Sequence, residues 1–456
     1  MSAISVRETF DTTVSATYDV IVAGGGASGL IAAVAAARLG VRTLLLERQG
    51  CLGGTATTAY VAQYVGFYNG DTQAVWGIPY ELVGRIVAAG GSDGFGSYTM
   101  AEAAANPLTI RHLPFNPEIV KIVADEIAAE AGVNLLLHSQ VVSVVREGRT
   151  VKGVIVETIS GRKAYAARVV VDATGDAVVA HAAGVEMHGD TGPGGRKQPS
   201  TLCFRLSNVD VKRFRALPRE TKRALALEGI ENGELFWQSM SFCSTPGGTD
   251  AICLMSRILG KDALNDEDAS EQERIGRAQI KSIVGFLKRR VPGFENSVLA
   301  SIAPRVGVRE TRRIYGQHTL TEAEILAEMK FEDAIALGCG PMDIHDPNGT
   351  GIELSMPPAP FEIPMRCLVP QEVEGLIVTG RAISATHEAN GGARHMATAM
   401  ALGQAAGVMA AVSLGGANST LSIPAAIVRA KLREQGAALS ADEASRFTAG
   451  KAAGQA

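Results

Sequence analysis

A glycine-rich turn near the start of the chain limits the possible folds more than any other feature. Residues 18–23 form an apolar run of strand length, residues 24–29 read Gly-Gly-Gly-Ala-Ser-Gly, and the alanine-rich stretch 30–39 predicts a helix. Residues 41–46 are a second apolar run, which ends on Glu47. A strand, a tight turn, a helix and another strand within about 30 residues predict a βαβ unit.

The turn has the spacing Gly24-x-Gly26-x-x-Gly29, and Glu47 stands 18 residues beyond its last glycine. In this pattern the first glycine permits the tight turn, the second lets the backbone approach a pyrophosphate, and the third lets helix and strand pack closely. The helix N-terminus faces the phosphates, and the acidic residue accepts a ribose hydroxyl. The sequence therefore predicts a dinucleotide site, against the alternative of a glycine-rich turn without a ligand.

Length and composition limit the classes of partner and compartment. The 456 residues predict two or three domains, and a net charge of −4 without a Lys/Arg run gives no reason to expect nucleic acid or an anionic membrane. The six cysteines are far apart and form no C-x-x-C, so a disulfide scaffold, a zinc ribbon and a redox dithiol pair are not expected. There is no signal-peptide pattern at the start and no apolar stretch of membrane length. We therefore expect a reduced, cytoplasmic protein without a metal site.

Periodicity and turn residues predict the remaining elements. Asn116-Pro117 opens an amphipathic helix that extends through residue 131 and ends at Gly132. From about residue 200 to 365 the character changes to charged helical stretches and short strands. The predicted strands are 133–145, 151–158, 165–171 and 374–380, and the further predicted helices are 212–230, 266–290 and 393–413.

Three separated segments resemble the cofactor segments of FAD-dependent oxidoreductases with the glutathione-reductase-type flavin fold. They are E-R-x(4)-G-G at 47–54, A-T-G-D at 173–176 and G-L-I-V-T-G-R at 375–381. More narrowly, five motifs resemble the FAD-dependent oxidoreductases related to the flavoprotein subunits of fumarate reductase and succinate dehydrogenase. These motifs occupy residues 52–57, 309–313, 343–346, 363–370 and 380–387. The resemblance covers about residues 18–415.

The resemblance implies an α/β fold, with a discontinuous Rossmann-type FAD-binding domain and an inserted α+β substrate or cap domain. The implied parts are an N-terminal arm (1–17), the FAD-binding domain (18–200 and 366–440), the cap (201–365) and a flexible tail (441–456). We expect the FAD to be bound non-covalently, since residues 55–60 lack the histidine through which some relatives link it.

The same resemblance assigns the residues that contact FAD. Relatives often have Gly-Asp where this chain has Gly380-Arg381, and an arginine cannot accept ribityl hydroxyls but can contact phosphate. The helix after residue 392 is expected to direct its positive end towards the flavin. The expected FAD-binding residues are Gly24, Gly26, Ala27, Ser28, Gly29, Glu47, Arg48, Gly53, Gly54, Thr55, Val142, Thr174, Gly175, Asp176, Gly380, Arg381, Gly392, Met396 and Ala397.

The chemistry is narrowed by what the chain lacks. It has no second G-x-G-x-x-G after a strand, hence no built-in NAD(P)H domain, and no dithiol motif. Hydride transfer to or from a flavin requires the protein to orient the substrate, to bind its charged group and to move one proton with a side chain. The candidate residues for these tasks are His387, Arg394, Arg366, Arg309 and His345.

Arg394 is expected to hold an anionic substrate or the flavin itself. His387, His345 and Arg309 each have a plainer alternative. His387 and Arg394 flank residues 389–392, interpreted as a flexible turn; His387 is the proton carrier or a histidine that braces the turn. His345 is an acid with a pKa raised by neighbouring carboxylates, or a surface histidine. Arg309 clamps a substrate carboxylate or pairs with Glu310.

Three further interpretations concern the candidate Arg366 and two residues near the expected site. Arg366 is expected to reach the flavin pocket, as in relatives. His395 is expected to face away from Arg394, because neighbours at a helix start diverge by about 100°. Cys51, close to the expected flavin, is interpreted as a packing residue.

The sequence thus predicts an FAD-dependent dehydrogenase or reductase acting on a small polar, anionic organic substrate. The alternatives are a flavin oxidase or monooxygenase, and a non-catalytic FAD-bearing subunit of a complex. The electron acceptor or donor is external and unidentified, and a homo-oligomer is compatible with the sequence.

Overall fold

The computed structural model describes residues 8–100, 108–189, 197–415 and 419–454, and its centre is a mixed sheet. Within these residues the sheet has seven strands. Val14–Ala23 lies between two parallel neighbours, and Gly161–Asp172 also pairs in parallel with Leu376–Val378. The strands are, in spatial order, Asn134–Leu136, Thr43–Leu46, Val14–Ala23, Gly161–Asp172, Thr150–Thr158 and Gln140–Glu147, with Leu376–Val378 beside Gly161–Asp172. The central strands are buried on both faces, which explains their continuous apolar runs.

Helices of small residues cover one face of this sheet. Ala27–Ala37 packs against Met396–Ser413 so closely that a Cβ atom at Gly403 would lie 2.1 Å from the carbonyl oxygen of Ser28. By length and apolar composition Met396–Ser413 resembles a membrane-spanning helix, but most of it is buried inside the fold. The other helices of this part are Ile78–Ala88, Pro117–Glu130, Val178–Ala182, Glu322–Leu326, His387–Ala393, Ala425–Glu434 and Ala441–Gly454.

The cap has a hydrophobic core of its own. Its antiparallel sheet has the order Phe242–Ser244, Ala251–Cys253, Phe204–Ser207 and Val298–Ile302. The helices Val211–Arg215, Arg219–Glu231 and Asp266–Arg290 accompany it. Its core residues all lie between positions 202 and 306. The cap is therefore a separately packed unit inserted into the sequence of the FAD-binding part.

Smaller sheets and turns complete the fold. A three-stranded sheet has the order Gln63–Val65, Leu108–Pro114 and Gly96–Met100. The hairpins are Tyr68–Asn69 with Thr72–Gln73, Ala334–Gly338 with Phe361–Pro364, and Met342–His345 with Ile352–Ser355. Single 3₁₀ turns are Gly54–Ala56, Met365–Leu368, Gly380–Ala382 and Thr420–Ser422.

Three predicted boundaries need correction. Residues 14–17, expected in a polar arm, already pair with Gly161–Asp172, while residues 1–7 lie outside the described part. The segment 334–365, expected in the cap, packs into the core of the FAD-binding part. The expected flexible tail forms the helix Ala441–Gly454, held where Phe447 packs edge-on to Trp76; residues 455–456 are not described.

Candidate functional site

The first of two adjoining cavities lies at the carboxyl end of the central strands, beside the glycine-rich turn. It is lined by segments far apart in the sequence, between Gly24 and Ala399. Of the residues expected to bind FAD, those that line it are Gly24, Gly26, Ala27, Ser28, Glu47, Arg48, Gly54, Thr55, Thr174, Gly175, Gly380, Arg381 and Met396. The structure thus brings the three resembling segments to one place.

The three motif glycines have the different environments that their expected roles require. Gly24 has a φ of +99°, and a Cβ atom there would lie 2.5 Å from the carbonyl oxygen of Ala173. A Cβ atom at Gly29 would lie 1.8 Å from the carbonyl oxygen of Gly24. At Gly26 the nearest atom would be 3.9 Å away, so this glycine leaves open space on the cavity side.

Glu47 is held at the edge of this cavity by backbone groups. Its Oε2 accepts a hydrogen bond from the amide of Gly25 at 2.7 Å, and its Oε1 accepts one from the amide of Gln49 at 2.7 Å. Because a carboxylate has about four lone-pair sites, acceptor capacity remains for a hydroxyl. This geometry fits the expected contact with a ribose.

Arg381, the departure from the pattern of relatives, forms an ion pair with Asp176. Its Nη2 lies 2.6 Å from Oδ1 of Asp176, and its Nε and Nη1 donate to the carbonyl oxygens of Gly175 and Val308. Arg48 approaches the other oxygen of Asp176 at 3.8 Å. Burial raises the pKa of Asp176, but the two guanidinium groups outweigh it and hold the pKa below its usual range. Asp176 therefore orients arginines and does not itself line the cavity.

Other expected FAD contacts also lie behind the cavity wall. Gly29 and Gly53 pack against neighbouring chain, and Gly392 faces Met342 and Phe361. Val141 lines the cavity in place of Val142, because neighbouring residues of a strand point to opposite faces. Ala397 is buried beneath Met396, which does line it. Cys51 lines neither cavity, and burial raises the pKa of its thiol.

The residues present fit FAD. Gly26 leaves room for a close approach of phosphate, Glu47 offers acceptors, and Arg48, Arg381 and Arg305 offer charge-assisted donors to a diphosphate. Arg305 was missed at the sequence level. The N-terminus of Ala27–Ala37 opens at the same cavity.

A second cavity adjoins the first and shares four lining residues with it: Thr55, Arg381, Arg394 and Met396. One wall is the three-stranded sheet, whose alternate side chains Gln63, Val65, Tyr98 and Met100 face the cavity. The cap contributes Trp237, Leu254 and Arg309. The cavity therefore lies between the cap and the cofactor cleft, where a substrate site was expected.

Arg309 presents a guanidinium group to this second cavity. Its Nη1 donates to the carbonyl oxygen of Pro199 and to Oγ1 of Thr201, the latter at 3.0 Å. In the part of the chain that the structure describes, no carboxylate pairs with it, and Glu310 pairs instead with Arg313 and His387. Burial, followed by the charge of Arg394, lowers the pKa of Arg309 to about 9. It remains a cation at neutral pH.

Arg394 also lines both cavities, but a carboxylate holds it. Its Nη2 donates to the carbonyl oxygen of Asp343 at 2.7 Å, to Oδ2 of Asp343 at 3.1 Å and to Oε1 of Gln198 at 3.3 Å. Burial raises the pKa of Asp343, but His345 and Arg394 hold it below its usual range. Asp343 thus stays charged and fixes Arg394.

His345 lines the second cavity without the expected raised pKa. Its Nδ1 contacts Nη1 of Arg257 at 2.9 Å, and its Nε2 lies 3.1 Å from Oδ1 of Asp343. Burial, then the charge of Arg309, lowers the pKa of His345 to about 3. The expectation of a useful acid is wrong because complete burial and nearby arginines outweigh the carboxylate.

Three other histidine and arginine expectations change. His387 does not line either cavity; it is buried, with Nδ1 3.0 Å from Oε2 of Glu310. Arg366 does not reach the cavities; it is 44% exposed and pairs with Asp333. His395 lines the second cavity together with Arg394. Residues 394 and 395 separate two helices, so the helical divergence rule does not apply there. Residues 389–392 are helical, not a flexible turn.

Tyr98 is a cavity residue that the sequence did not reveal. Its hydroxyl oxygen accepts a hydrogen bond from Nε2 of Gln63 at 3.4 Å, and Oε1 of Gln63 contacts Nδ1 of His112 at 2.7 Å. The ring of Tyr98 lies 4.5 Å from that of His112. Burial raises the pKa of Tyr98, so the phenol stays protonated at neutral pH. Across the described ranges, no group of three or more His, Cys, Asp or Glu is arranged to hold a metal ion.

Comparison with known proteins agrees with this geometry. A family model described as FAD dependent oxidoreductase matches residues 19–432. A geranylgeranyl bacteriochlorophyll reductase-like protein of Thermoplasma acidophilum has a similar structure, with 15% identity, a TM-score of 0.50, and coverage of 95% of this chain and 90% of that one. The flavin-dependent brominase Bmp2 is 14% identical, with a TM-score of 0.48 and coverage of 92% and 84%. At 15% identity the likeness to the Thermoplasma acidophilum protein shows the fold alone.

Curated relatives match only a short stretch. The dihydrolipoyl dehydrogenase of Trypanosoma brucei brucei is 55% identical over 38 residues, which is 8% of either chain. A mitochondrial dihydrolipoyl dehydrogenase of Arabidopsis thaliana is 42% identical over 53 residues, or 12% of this chain and 10% of that one. The matched stretch spans a tenth or less of these relatives' length.

Proposed function

Because the chain belongs to the FAD-dependent oxidoreductases, we propose that it moves a hydride between its non-covalently bound FAD and a small anionic organic molecule in the second cavity. The two cavities share Thr55, Arg381, Arg394 and Met396, so one ligand in each can meet at these residues. The cofactor, when bound, supplies the capacity to accept or give the hydride.

The observation that carries the proposal is the free edge of Arg309. Only Nη1 of this side chain is used in hydrogen bonds within the described structure, and no carboxylate there neutralises it. A guanidinium group binds a carboxylate through two parallel hydrogen bonds, and more strongly where water is excluded. Val61, Val65 and Leu254 add an apolar wall. The cavity thus suits a small carboxylate with a hydrocarbon body.

Tyr98 is the best-placed group to move the proton. Its oxygen accepts from Gln63, so its own hydrogen is free to point towards a ligand. The sequence assigned this task to His387 or His345, but the first lies behind the wall and the second is held neutral. Arg309 and Arg394 would hold the anion while Tyr98, which is protonated, donates its proton to the reacting oxygen or nitrogen in the direction of substrate reduction.

An anaerobic screen tests the proposal. FAD-loaded protein is mixed with small carboxylic acids and with the corresponding uncharged amides, and bleaching of the flavin absorbance is followed. We expect an acid, and not its amide, to reduce the flavin, and Arg309→Gln to weaken its binding about 10- to 100-fold. Arg274→Gln, on an exposed cap helix, is the matched control.

Other outcomes would identify the alternatives. If uncharged amides reduce the flavin as well as acids do, the anionic substrate class is wrong. Rapid oxygen consumption by the reduced protein, with oxygen incorporated into the substrate, would make it a monooxygenase. If no organic compound exchanges electrons with the flavin and light scattering shows an obligate partner, the chain is a non-catalytic subunit.

A further inference from the structure

Besides Arg394, which Asp343 holds, three arginines line the first cavity, and one of them comes from the cap. Arg48 and Arg381 belong to the FAD-binding part, whereas Arg305 lies between Ala303 and Val306, two members of the cap core. The amide of Arg305 donates to the carbonyl oxygen of Thr58 at 3.2 Å, which fixes this loop against the cofactor cleft. A cap residue is thereby held in the wall of the nucleotide site.

The charges around Arg305 are not balanced by the protein. Asp176 is already paired with Arg381 and Arg48. Within the described chain the Arg305 side chain has no ion pair or hydrogen bond of its own, although Asp176 and Glu47 attract it at longer range. Burial, then repulsion by Arg48 and Arg381, lowers the pKa of Arg305 to about 10. Three guanidinium groups share two carboxylates, which leaves one positive charge in excess.

The excess positive charge around Arg305 favours a ligand with strong negative charge. The adenosine end is an unsuitable partner, because Glu47 offers only acceptors there. The substrate carboxylate is also unsuitable, because Arg305 does not line the second cavity. A diphosphate carries two charges and several acceptor oxygens, and guanidinium groups bind such oxygens through paired hydrogen bonds.

We infer that Arg305 is a cap-borne ligand of the cofactor diphosphate, so that FAD binding ties the cap to the FAD-binding domain. The inference depends on the identity of the cofactor and not on the substrate proposed for the second cavity. Arg381 and Arg48 are held by Asp176 and can still donate towards the cavity, whereas Arg305 has no ion pair within the described chain and depends on the phosphate for one.

The test measures FAD binding by the full-length holoprotein. Flavin fluorescence recovered on serial dilution gives the dissociation constant at several KCl concentrations, and competition with ADP and with adenosine isolates the phosphate contribution. We expect Arg305→Gln to raise the FAD dissociation constant about 10- to 100-fold and to flatten its salt dependence. ADP should lose most of its advantage over adenosine as a competitor.

Two variants separate this role from loss of folding. Arg305→Lys keeps the charge without the planar fork and should fall between wild type and Arg305→Gln, whereas Arg274→Gln should match wild type. Hydrogen exchange of residues 202–306 in the holoprotein should be faster in Arg305→Gln. The inference is overturned if Arg305→Gln leaves the salt dependence intact, or weakens ADP and adenosine equally.

Discussion

Nη1 of Arg257 donates a hydrogen bond to Nδ1 of His345 across 2.9 Å. Because a guanidinium group can only donate, Nδ1 must accept, and the proton of the neutral ring is assigned to Nε2, which faces Oδ1 of Asp343 at 3.1 Å. The histidine is thus a neutral bridge between a cation and a carboxylate. Asp343 turns its other oxygen to Arg394, so the bridge orients a residue shared by both cavities.

The neutral state of His345 predicts a pH dependence of stability. Its pKa is lowered from 6.5 to about 3 in the folded protein. Between these pH values the unfolded chain binds a proton that the folded chain does not bind. The free energy of unfolding should therefore fall between about pH 6.5 and pH 3, by up to about 1.4 kcal/mol per pH unit for this one proton. Urea unfolding at several pH values measures the slope.

A variant pair assigns this slope. His345→Gln should make it shallower, whereas His181→Gln, at an exposed position, should leave it unchanged. Part of the slope remains because burial lowers the pKa of His112 to about 4. An unaltered slope in His345→Gln would show that His345 is protonated in the folded state.

At Gly26 we expect a substitution to lower FAD affinity with little effect on the free energy of unfolding. Gly26 has a φ of −72°, which any residue adopts, and a Cβ atom there meets nothing closer than 3.9 Å. Gly26→Ala should therefore change the free energy of unfolding by less than about 1 kcal/mol while lowering FAD affinity at least about 10-fold, because the methyl group occupies the phosphate approach.

At Gly29, by contrast, we expect a substitution to lower the free energy of unfolding. Its Cβ atom would overlap the carbonyl oxygen of Gly24 at 1.8 Å, so Gly29→Ala should destabilise the protein by at least about 2 kcal/mol. Gly84→Ala, on the exposed face of a helix with open space around it, is the control. Urea unfolding and the flavin content after purification distinguish the three variants. Equal flavin loss in all of them would contradict the assignment.

Tyr98 predicts a rate effect without a binding effect. With the dehydrogenated product of a carboxylate found in the screen, Tyr98→Phe should slow its single-turnover reduction by the reduced protein about 10²- to 10⁴-fold, since the variant lacks the proton donor. The dissociation constant should change little, because Arg309 and Arg394 still hold the anion. Tyr18→Phe, whose ring packs with Arg42, is the control. Unchanged reduction in Tyr98→Phe would remove Tyr98 from the chemistry.

Substitutions at Arg366 and at Arg394 should have different effects on carboxylate binding. Arg366 is 44% exposed and pairs with Asp333 away from both cavities, so Arg366→Ala should leave carboxylate binding unchanged and cost at most about 1 kcal/mol of stability. Arg394→Gln should weaken carboxylate binding about 10-fold or more, because its guanidinium lines the cavity. Titration of the flavin spectrum with a non-reacting carboxylate measures both. If Arg366→Ala strongly weakens carboxylate binding, Arg366 reaches the flavin pocket after all, as the sequence resemblance implies.

The sequence revealed the parts of the site that backbone shape dictates. Gly24 and Gly29 were assignable because a tight turn and close backbone contacts admit only glycine there, and Gly26 was assignable because its place in the motif is where a phosphate approaches. Arg305 and Tyr98 were not assignable, since a single arginine in a loop or a tyrosine on a short strand carries no local pattern. Their positions depend on how the cap and the three-stranded sheet pack against the cofactor cleft.

The same distinction holds for the fold. The helix Asp266–Arg290 was predicted at its correct bounds; Asn265 caps it, and its first turn is acidic and its last basic. The helix Ala441–Gly454 was not, because its alanine- and glycine-rich sequence has no strong amphipathic pattern. Its stability comes from tertiary contacts such as Phe447 with Trp76.

The lining of the first cavity runs from Gly24 to Ala399 along the chain. During synthesis, therefore, the nucleotide turn leaves the ribosome before the other segments of this lining, and its opposite wall does not exist until residue 399 has been added. A complete cofactor site therefore forms only after both units have assembled. A premature stop anywhere before residue 399 would yield a chain with the recognisable glycine motif and an incomplete binding site.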